Sequence, residues 1–260
     1  MGDWYVCILL LLLGLSLGSF FNVVIYRLPR GQSIVKPRSR CPSCKKTIRW
    51  FDNIPVVSYV ILKGRCRRCG RSISVRYPLV EILTALLLVG LYFKFGQAIF
   101  TLIYGVLFAF LVPIAWIDID RQIIPDKLTI PGFIMGWVLV SAFHFLNWKS
   151  ALLGSIGTGA FLWGLGVATK SALKKETLGF GDVKLLVMTG VYLGFPDMFL
   201  ALFLGALCAT VFLFFALCLK RLKTTDRIPF GPFIALGIVI YVFIGDALVH
   251  WYDRIILGAI

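Results

Sequence analysis

Long apolar stretches dominate this sequence and limit what it can fold into. Of its 260 residues, 59% are hydrophobic, which is well above the share in an ordinary soluble domain. A bilayer core about 30 Å thick is crossed by roughly 20 apolar residues in an α-helix. The pattern predicts helices over 4–26, 78–93, 98–117, 128–146, 150–169, 183–195, 198–219 and 231–249. We therefore predict an all-α polytopic membrane protein with about eight transmembrane helices, two of them short.

The distribution of basic residues tests this topology. The alternating connections 27–77, 118–127, 170–182 and 220–230, with the boundary residue Lys184, hold 24 of the 27 Lys and Arg residues. Only Lys94, Lys149 and Arg254 fall on the other side. Because basic loops stay in the cytoplasm, both termini are predicted outside it. The net charge of +15 thus indicates membrane orientation, and we expect no nucleic-acid partner.

One polar segment interrupts the apolar pattern and divides the chain into 1–26, 27–77 and 78–260. Segment 27–77 contains CPSC at Cys41–Cys44 and CRRC at Cys66–Cys69, with 21 residues between the two pairs. Paired C-x-x-C motifs supply four thiolates for a tetrahedral zinc site. Disulfides are the alternative, but the predicted cytoplasmic location is reducing. We predict a small zinc-ribbon-like insertion whose zinc is structural, since four cysteines leave no coordination site open for water.

Two aspartates lie at the predicted cytoplasmic ends of apolar stretches. Asp118 follows an apolar run and is the first residue of DIDRQIIPD, and Asp182 follows glycines in GFGD at the start of another run. Helix capping is an alternative role for Asp182, and capping also explains Asp126 at the start of the next helix. Two neighbouring carboxyl groups share one proton, because both cannot ionise at low cost. One can then activate water while the other polarises a peptide carbonyl.

Five motifs in order resemble those of the bacterial type IV prepilin peptidases, also called leader peptidase/N-methyltransferases. They are GSFFNVVIYRLP (18–29), CPSCKKTIRWFDNIPVVSYVILKGRCRRCG (41–70), ISVRYPLVE (73–81), DIDRQIIPD (118–126) and GFGD (179–182). The resemblance covers nearly the whole chain. It implies an aspartic endopeptidase in the bacterial cytoplasmic (inner) membrane that cleaves the basic leader of type IV prepilins or type II secretion pseudopilins after a glycine.

The resemblance also implies roles for individual residues. The catalytic pair carries over to Asp118 and Asp182, with Asp120 as the alternative to Asp118. Independently of the resemblance, Gly179 and Gly181 have no side chains and are expected to let the backbone approach an extended substrate. Many members methylate the new N-terminus with S-adenosylmethionine, and the tetracysteine insertion accompanies this second activity. The sequence contains no Rossmann fingerprint for that cofactor. Its proposed site comprises three residues of the insertion and the following helix: Lys63, Gly64 and Glu81. Lys63 stands where the family usually has arginine.

Two other classes of protein remain as alternatives. An ion- or proton-coupled transporter also places acids within membrane helices, but here the acids cluster at one face and no inverted repeat is visible. A non-catalytic zinc-ribbon scaffold of a secretion assembly would tolerate loss of either aspartate. Substitution of Asp118 and Asp182 therefore discriminates between these classes and a peptidase.

Overall fold

The structure, a computed structural model, describes residues 3–96, 98–173, 179–220 and 228–256, and most of these residues are helical. The helices are α1 (Asp3–Arg27), α2 (Val57–Ile61), α3 (Arg76–Phe95), α4 (Ala98–Arg121), α5 (Asp126–Phe143), α6 (Trp148–Leu152), α7 (Thr158–Leu173), α8 (Phe180–Leu193), α9 (Asp197–Cys218) and α10 (Gly231–Ile256). The predicted all-α class is confirmed. Parts of the predicted connections 170–182 and 220–230, residues 174–178 and 221–227, lie outside the described residues.

Seven segments among the described residues are long and apolar enough to cross a membrane, so the polytopic prediction is confirmed. The predicted helix 150–169 belongs to one of them, Trp148–Ala172, in which α6 and α7 are joined by a π-helical turn, Leu153–Gly157. The predicted helix 183–195 corresponds to α8, which has 14 residues. At 1.5 Å per residue, α8 is about 21 Å long and is shorter than the hydrocarbon core.

The chain divides into two compact units, Met1–Pro113 and Ile114–Ile260. In the first unit α1 and α3 pack closely through small residues. A Cβ atom added at Gly18 would lie 2.5 Å from Glu81 Cα, and one added at Gly14 would overlap Ala85. Small residues let membrane helices approach this closely. The buried Asn22 side chain then donates a 3.0 Å hydrogen bond to the Tyr77 carbonyl, which fixes the register of the two helices.

The second unit is built around α8. Eight of its residues, from Leu185 to Leu193, are buried, which explains why a helix too short to span the membrane is still strongly apolar. The Tyr192 hydroxyl donates to the Gly132 carbonyl of α5 at 2.8 Å. Ser155 of the π-helical turn donates to the Val187 carbonyl at 2.7 Å. Contacts on both sides thus hold α8 and position its N-terminal turn, which carries Asp182.

Candidate active site and metal site

Asp118 lies in the last turn of α4 and its carboxyl group is buried. The backbone N–H of Gly231, the first residue of α10, donates to Asp118 Oδ2 at 3.0 Å. A backbone donor stabilises negative charge on a carboxylate oxygen. Asp120, two residues along the same helix, is exposed. The buried position and the specific donor therefore favour Asp118 over Asp120 as the first member of the pair.

Asp182 is the third residue of α8 and is half-buried. The N–H of Gly179 donates to its carboxylate, and the Asp182 N–H donates to the Gly179 carbonyl at 3.1 Å. This reciprocal pairing resembles a capping box, so the predicted capping role is present in the geometry. This capping contact involves a single donor, the Gly179 N–H, so the Asp182 carboxyl group can still take part in a second interaction.

The second unit brings the two aspartates together. Asp182 lies outside the seven candidate membrane spans, and burial together with the nearby charge of Asp118 raises its pKa to about 7. A carboxyl group with this pKa is partly protonated near neutral pH, because burial and a second carboxylate both make its ionisation costly. The pKa of Asp182 thus responds to the charge of Asp118, as expected for two carboxyl groups that interact.

Ile124 packs between the segments that carry the pair. A Cβ added at Gly181 would lie 3.2 Å from Ile124 Cβ, and one added at Gly231 would lie 3.4 Å from Ile124 Cδ1. The absence of side chains at both glycines lets the 118–126 segment sit against the start of α8 and of α10. In this structure Gly181 therefore allows Ile124 to pack closely against the start of α8, next to the two aspartates.

An ion pair closes the same segment against α8. The prediction that Asp126 caps α5 is wrong. Pro125 occupies the N-cap position, and Asp126 is the first helical residue. Its Oδ1 instead accepts from Lys184 Nζ at 2.6 Å. Sequence reasoning missed Gly231, Ile124 and Lys184 as parts of this site. Only Lys184 left a signal, as a basic residue two positions after Asp182.

The four motif cysteines converge in the first unit. Cys41, Cys44, Cys66 and Cys69 place their sulfur atoms within 4.8 Å of one another. Each C-x-x-C pair forms the same turn, in which the residue after the second cysteine donates to the carbonyl of the first at 2.9 Å, Lys45 to Cys41 and Gly70 to Cys66. The two turns are equivalent at an offset of 25 residues, as the matching bridges Arg40–Thr47 and Arg65–Ser72 show. The cluster can bind a metal ion.

The sulfur geometry agrees with a tetrahedral thiolate site. Zn–S bonds of 2.3 Å in a tetrahedron require sulfur separations of about 3.8 Å, and Cys41 Sγ lies 3.9 Å from Cys69 Sγ. Backbone N–H groups of Cys69 and Arg68 lower the pKa of the Cys66 thiol to about 7. Burial and the neighbouring thiols raise the pKa of Cys69 to about 11, so Cys66 is the cysteine of this turn that ionises more readily to the thiolate, the form that binds a metal.

We expect replacement of one cysteine in each pair, Cys41→Ser with Cys66→Ser, to reduce bound zinc from about one per chain to near zero, because two thiolates leave the tetrahedral site incomplete. Metal analysis of the purified protein measures this. Cys7→Ser with Cys208→Ser is the matched control, since both cysteines lie in the apolar helices α1 and α9. Full zinc occupancy in the first variant would refute the tetracysteine site.

The remaining site residues of the sequence analysis lie in the first unit around α2. Glu81 is buried and its Oε2 accepts from the Val56 N–H at 2.7 Å. Gly64 has a positive φ of +65° and packs under the Tyr59 ring. Lys63, also at positive φ, is exposed. Glu81 thus anchors the residue before α2, whereas Lys63 and Gly64 follow the other end of that short helix.

Two interacting aspartates, Asp118 buried and Asp182 half-buried, in a multi-pass membrane protein are the arrangement expected of a membrane aspartic peptidase. Residues 12–95 match the family model described as Bacterial Peptidase A24 N-terminal domain. Residues 105–214 match the model of the Type IV leader peptidase family. The chain belongs to this family.

Relatives of similar length support this membership. The chain is 34% identical to a prepilin leader peptidase/N-methyltransferase of Aeromonas salmonicida (strain A449), over 98% of this chain and 96% of the relative. It is 33% identical to the protein of the same name from Neisseria gonorrhoeae, over 92% of both chains. It is 34% identical to the one from Pseudomonas aeruginosa, over 93% of this chain and 91% of the relative. No solved structure matches the chain.

Proposed function

We propose that this protein is an aspartic endopeptidase that cleaves the leader of type IV prepilins or type II secretion pseudopilins and then methylates the new N-terminus. The coupled pair of Asp118 and Asp182 carries the peptidase part of the proposal. The relatives' shared name carries the substrate class and the methylation. We further propose that the pair faces the cytoplasm and both termini lie outside it, which the basic connections support.

The two carboxyl groups take different parts in peptide hydrolysis. Asp118, whose Oδ2 accepts from the Gly231 N–H, is the ionised member and removes a proton from the attacking water. Asp182, with its raised pKa, is the protonated member and donates to the carbonyl oxygen of the scissile bond. When the tetrahedral intermediate collapses, Asp118 gives the proton taken from water to the leaving amine. Asp182 takes back the proton of the hydroxyl formed from the carbonyl oxygen, and the pair returns to its singly protonated state.

Cleavage should decline as pH rises above about 7. Because the pKa of Asp182 is raised to about 7, the carboxyl group keeps its proton below that pH and loses it above. Loss of one essential proton lowers kcat/KM by roughly tenfold per pH unit. Initial rates with a prepilin-like peptide in detergent, from pH 5 to 9, measure the profile. A rate that still increases from pH 7 to 9 would contradict the assignment of Asp182 as the acid.

The methyl-donor site is proposed at the α1–α3 end of the first unit, with Glu81, Lys63 and Gly64. Gly18 packs on Glu81. Asn22 lies one helical turn after Gly18 and is only 2% exposed. Its Oδ1 has no hydrogen-bond partner within the described ranges. A buried acceptor without a partner and a buried carboxylate suit a ligand that carries cationic and amino groups. S-adenosylmethionine would supply the methyl group there, and the tetracysteine insertion is proposed to hold structural zinc beside it.

Glu81→Gln is expected to lower methylation by about tenfold and leave cleavage within about twofold, since the amide removes a charge but still accepts from the Val56 N–H. The measurement is the mass of the product with S-adenosylmethionine present. Thr84→Val, one turn along α3 at another buried polar position, is the control. Unchanged methylation by Glu81→Gln would mean that Glu81 only anchors the insertion.

The overall proposal is tested by incubating the purified protein with a prepilin-like substrate, with and without S-adenosylmethionine, and following product masses. We expect loss of the leader in both cases and the gain of one methyl mass only with the cofactor. Leader loss without the later gain would restrict the protein to peptidase activity. An intact substrate would favour the transporter or scaffold alternatives.

A further inference from the structure

The insertion carries an apolar face that the peptidase and metal sites do not use. Val57, Val60 and Ile61 of α2 are 50%, 67% and 67% exposed. Their spacing of i, i+3 and i+4 puts them on one side of the helix. In a zinc-stapled segment of about 50 residues, such a face is costly unless something covers it.

The depth of this face follows from its attachment to α3. Val56, the residue before α2, is held by Glu81 Oε2 at 2.7 Å. Glu81 is the sixth residue of the candidate membrane span Arg76–Phe95, so it lies about 7 Å below the start of that helix. The span has 20 residues and a length of about 30 Å, which matches the hydrocarbon thickness. The start of α2 therefore lies within about 8 Å of the edge of the hydrocarbon core.

The charge around α2 agrees with the same location. Lys63 and Arg65, directly after α2, are exposed. Segment 27–77 contains a single acid, Asp52, and Arg67 pairs with it through Nε and a terminal nitrogen, at 2.9 and 2.8 Å to Oδ1. The pairing leaves the surrounding surface basic. Basic side chains beside an apolar helical face are typical of elements that lie in the interface of an anionic leaflet.

We propose that α2 is an interfacial membrane anchor, with Val57, Val60 and Ile61 inserted at the headgroup–acyl boundary of an anionic leaflet and with Lys63 and Arg65 among the lipid phosphates. The insertion is then a domain fixed on the membrane surface. The proposal rests on the contacts of the first unit alone and does not depend on the peptidase assignment.

The same unit supplies a matched control position, Val35. It is also a valine and is 78% exposed. Arg27 donates to the carbonyls of Ser33 and Arg38 on either side of it, which holds this loop at the end of α1. Gly18 lies at the same depth as Glu81. Arg27 follows nine residues later on α1 and so lies about 13 Å farther than Glu81 from the bilayer centre. Val35 should therefore remain in water.

The test places the fluorescent amino acid dansylalanine at position 60, 61 or 35 of the full-length protein in phosphatidylglycerol nanodiscs, without substrate. Zinc content verifies folding of each variant. We expect lipids brominated near the headgroup to quench positions 60 and 61 at least about twofold more than position 35, and aqueous iodide to show the opposite order. Replacing phosphatidylglycerol by phosphatidylcholine should reduce the lipid quenching at 60 and 61.

Two results would overturn the proposal. Equal quenching of positions 60 and 35 by iodide, without quenching by brominated lipid, would show that the face is open to water and free for a protein partner. Equal lipid quenching in neutral and anionic nanodiscs would refute the role of Lys63 and Arg65.

Discussion

Asp118→Asn and Asp182→Asn are each expected to lower leader cleavage by on the order of a thousandfold or more. An amide at position 118 cannot remove a proton from water, and an amide at position 182 cannot donate a proton to the carbonyl oxygen. Removal of a general acid or base costs about 10²- to 10⁴-fold, and members of one catalytic unit fail together. The double variant should therefore be no slower than the poorer single variant. Initial rates followed by mass spectrometry measure the loss.

Asp120→Asn is the matched control for these variants. It makes the same chemical change two residues from Asp118 on the same helix, but at an exposed side chain. Its cleavage rate should stay within about twofold of the unaltered protein, as is usual for exposed sites. Normal cleavage by Asp118→Asn together with loss in Asp120→Asn would move the pair to Asp120. Normal cleavage by both Asp118→Asn and Asp182→Asn would favour the scaffold hypothesis.

Gly231→Ala should have the second largest effect. A Cβ atom at this position would lie 2.7 Å from Asp118 Oδ2 and 3.2 Å from its carboxyl carbon, so the carboxylate must move away from the Gly231 N–H. A displacement of about 1 Å costs roughly 100-fold in rate. We expect kcat to decrease by about that factor, with a smaller change in KM, because α10 itself keeps its place.

Gly164→Ala provides the comparison for Gly231→Ala. A Cβ at Gly164, within α7, has no neighbour within 4 Å, and alanine is favoured over glycine inside a helix. This variant should cleave at the normal rate and unfold at the same or a slightly higher temperature. If Gly231→Ala also cleaves normally and remains folded, the Gly231 N–H does not position Asp118.

The sequence predicted the elements of this protein well, because its dominant signals are local. A run of about 20 apolar residues specifies a membrane helix without reference to the rest of the chain. Segments Trp4–Arg30 and Ala98–Arg121 accordingly agree with the predicted helices 4–26 and 98–117. Helix α8, Phe180–Leu193, also agrees with the predicted helix 183–195 to within three residues. It is not among the seven candidate membrane spans, because it is shorter than the bilayer core and its apolar character reflects burial within the protein.

Sequence by itself determined the helices and the residue types that carry chemistry: Asp118, Asp182 and the four cysteines belong to short motifs whose spacing has a chemical meaning. Only the tertiary structure decided what surrounds them. Gly231 lies 113 residues after Asp118, and Asp126 pairs with Lys184 from another helix. Such contacts depend on how the helices pack, and residues far apart in the chain leave no local pattern that would predict them. The same packing anchors Val56 to Glu81, the contact on which the proposed membrane anchoring of α2 rests.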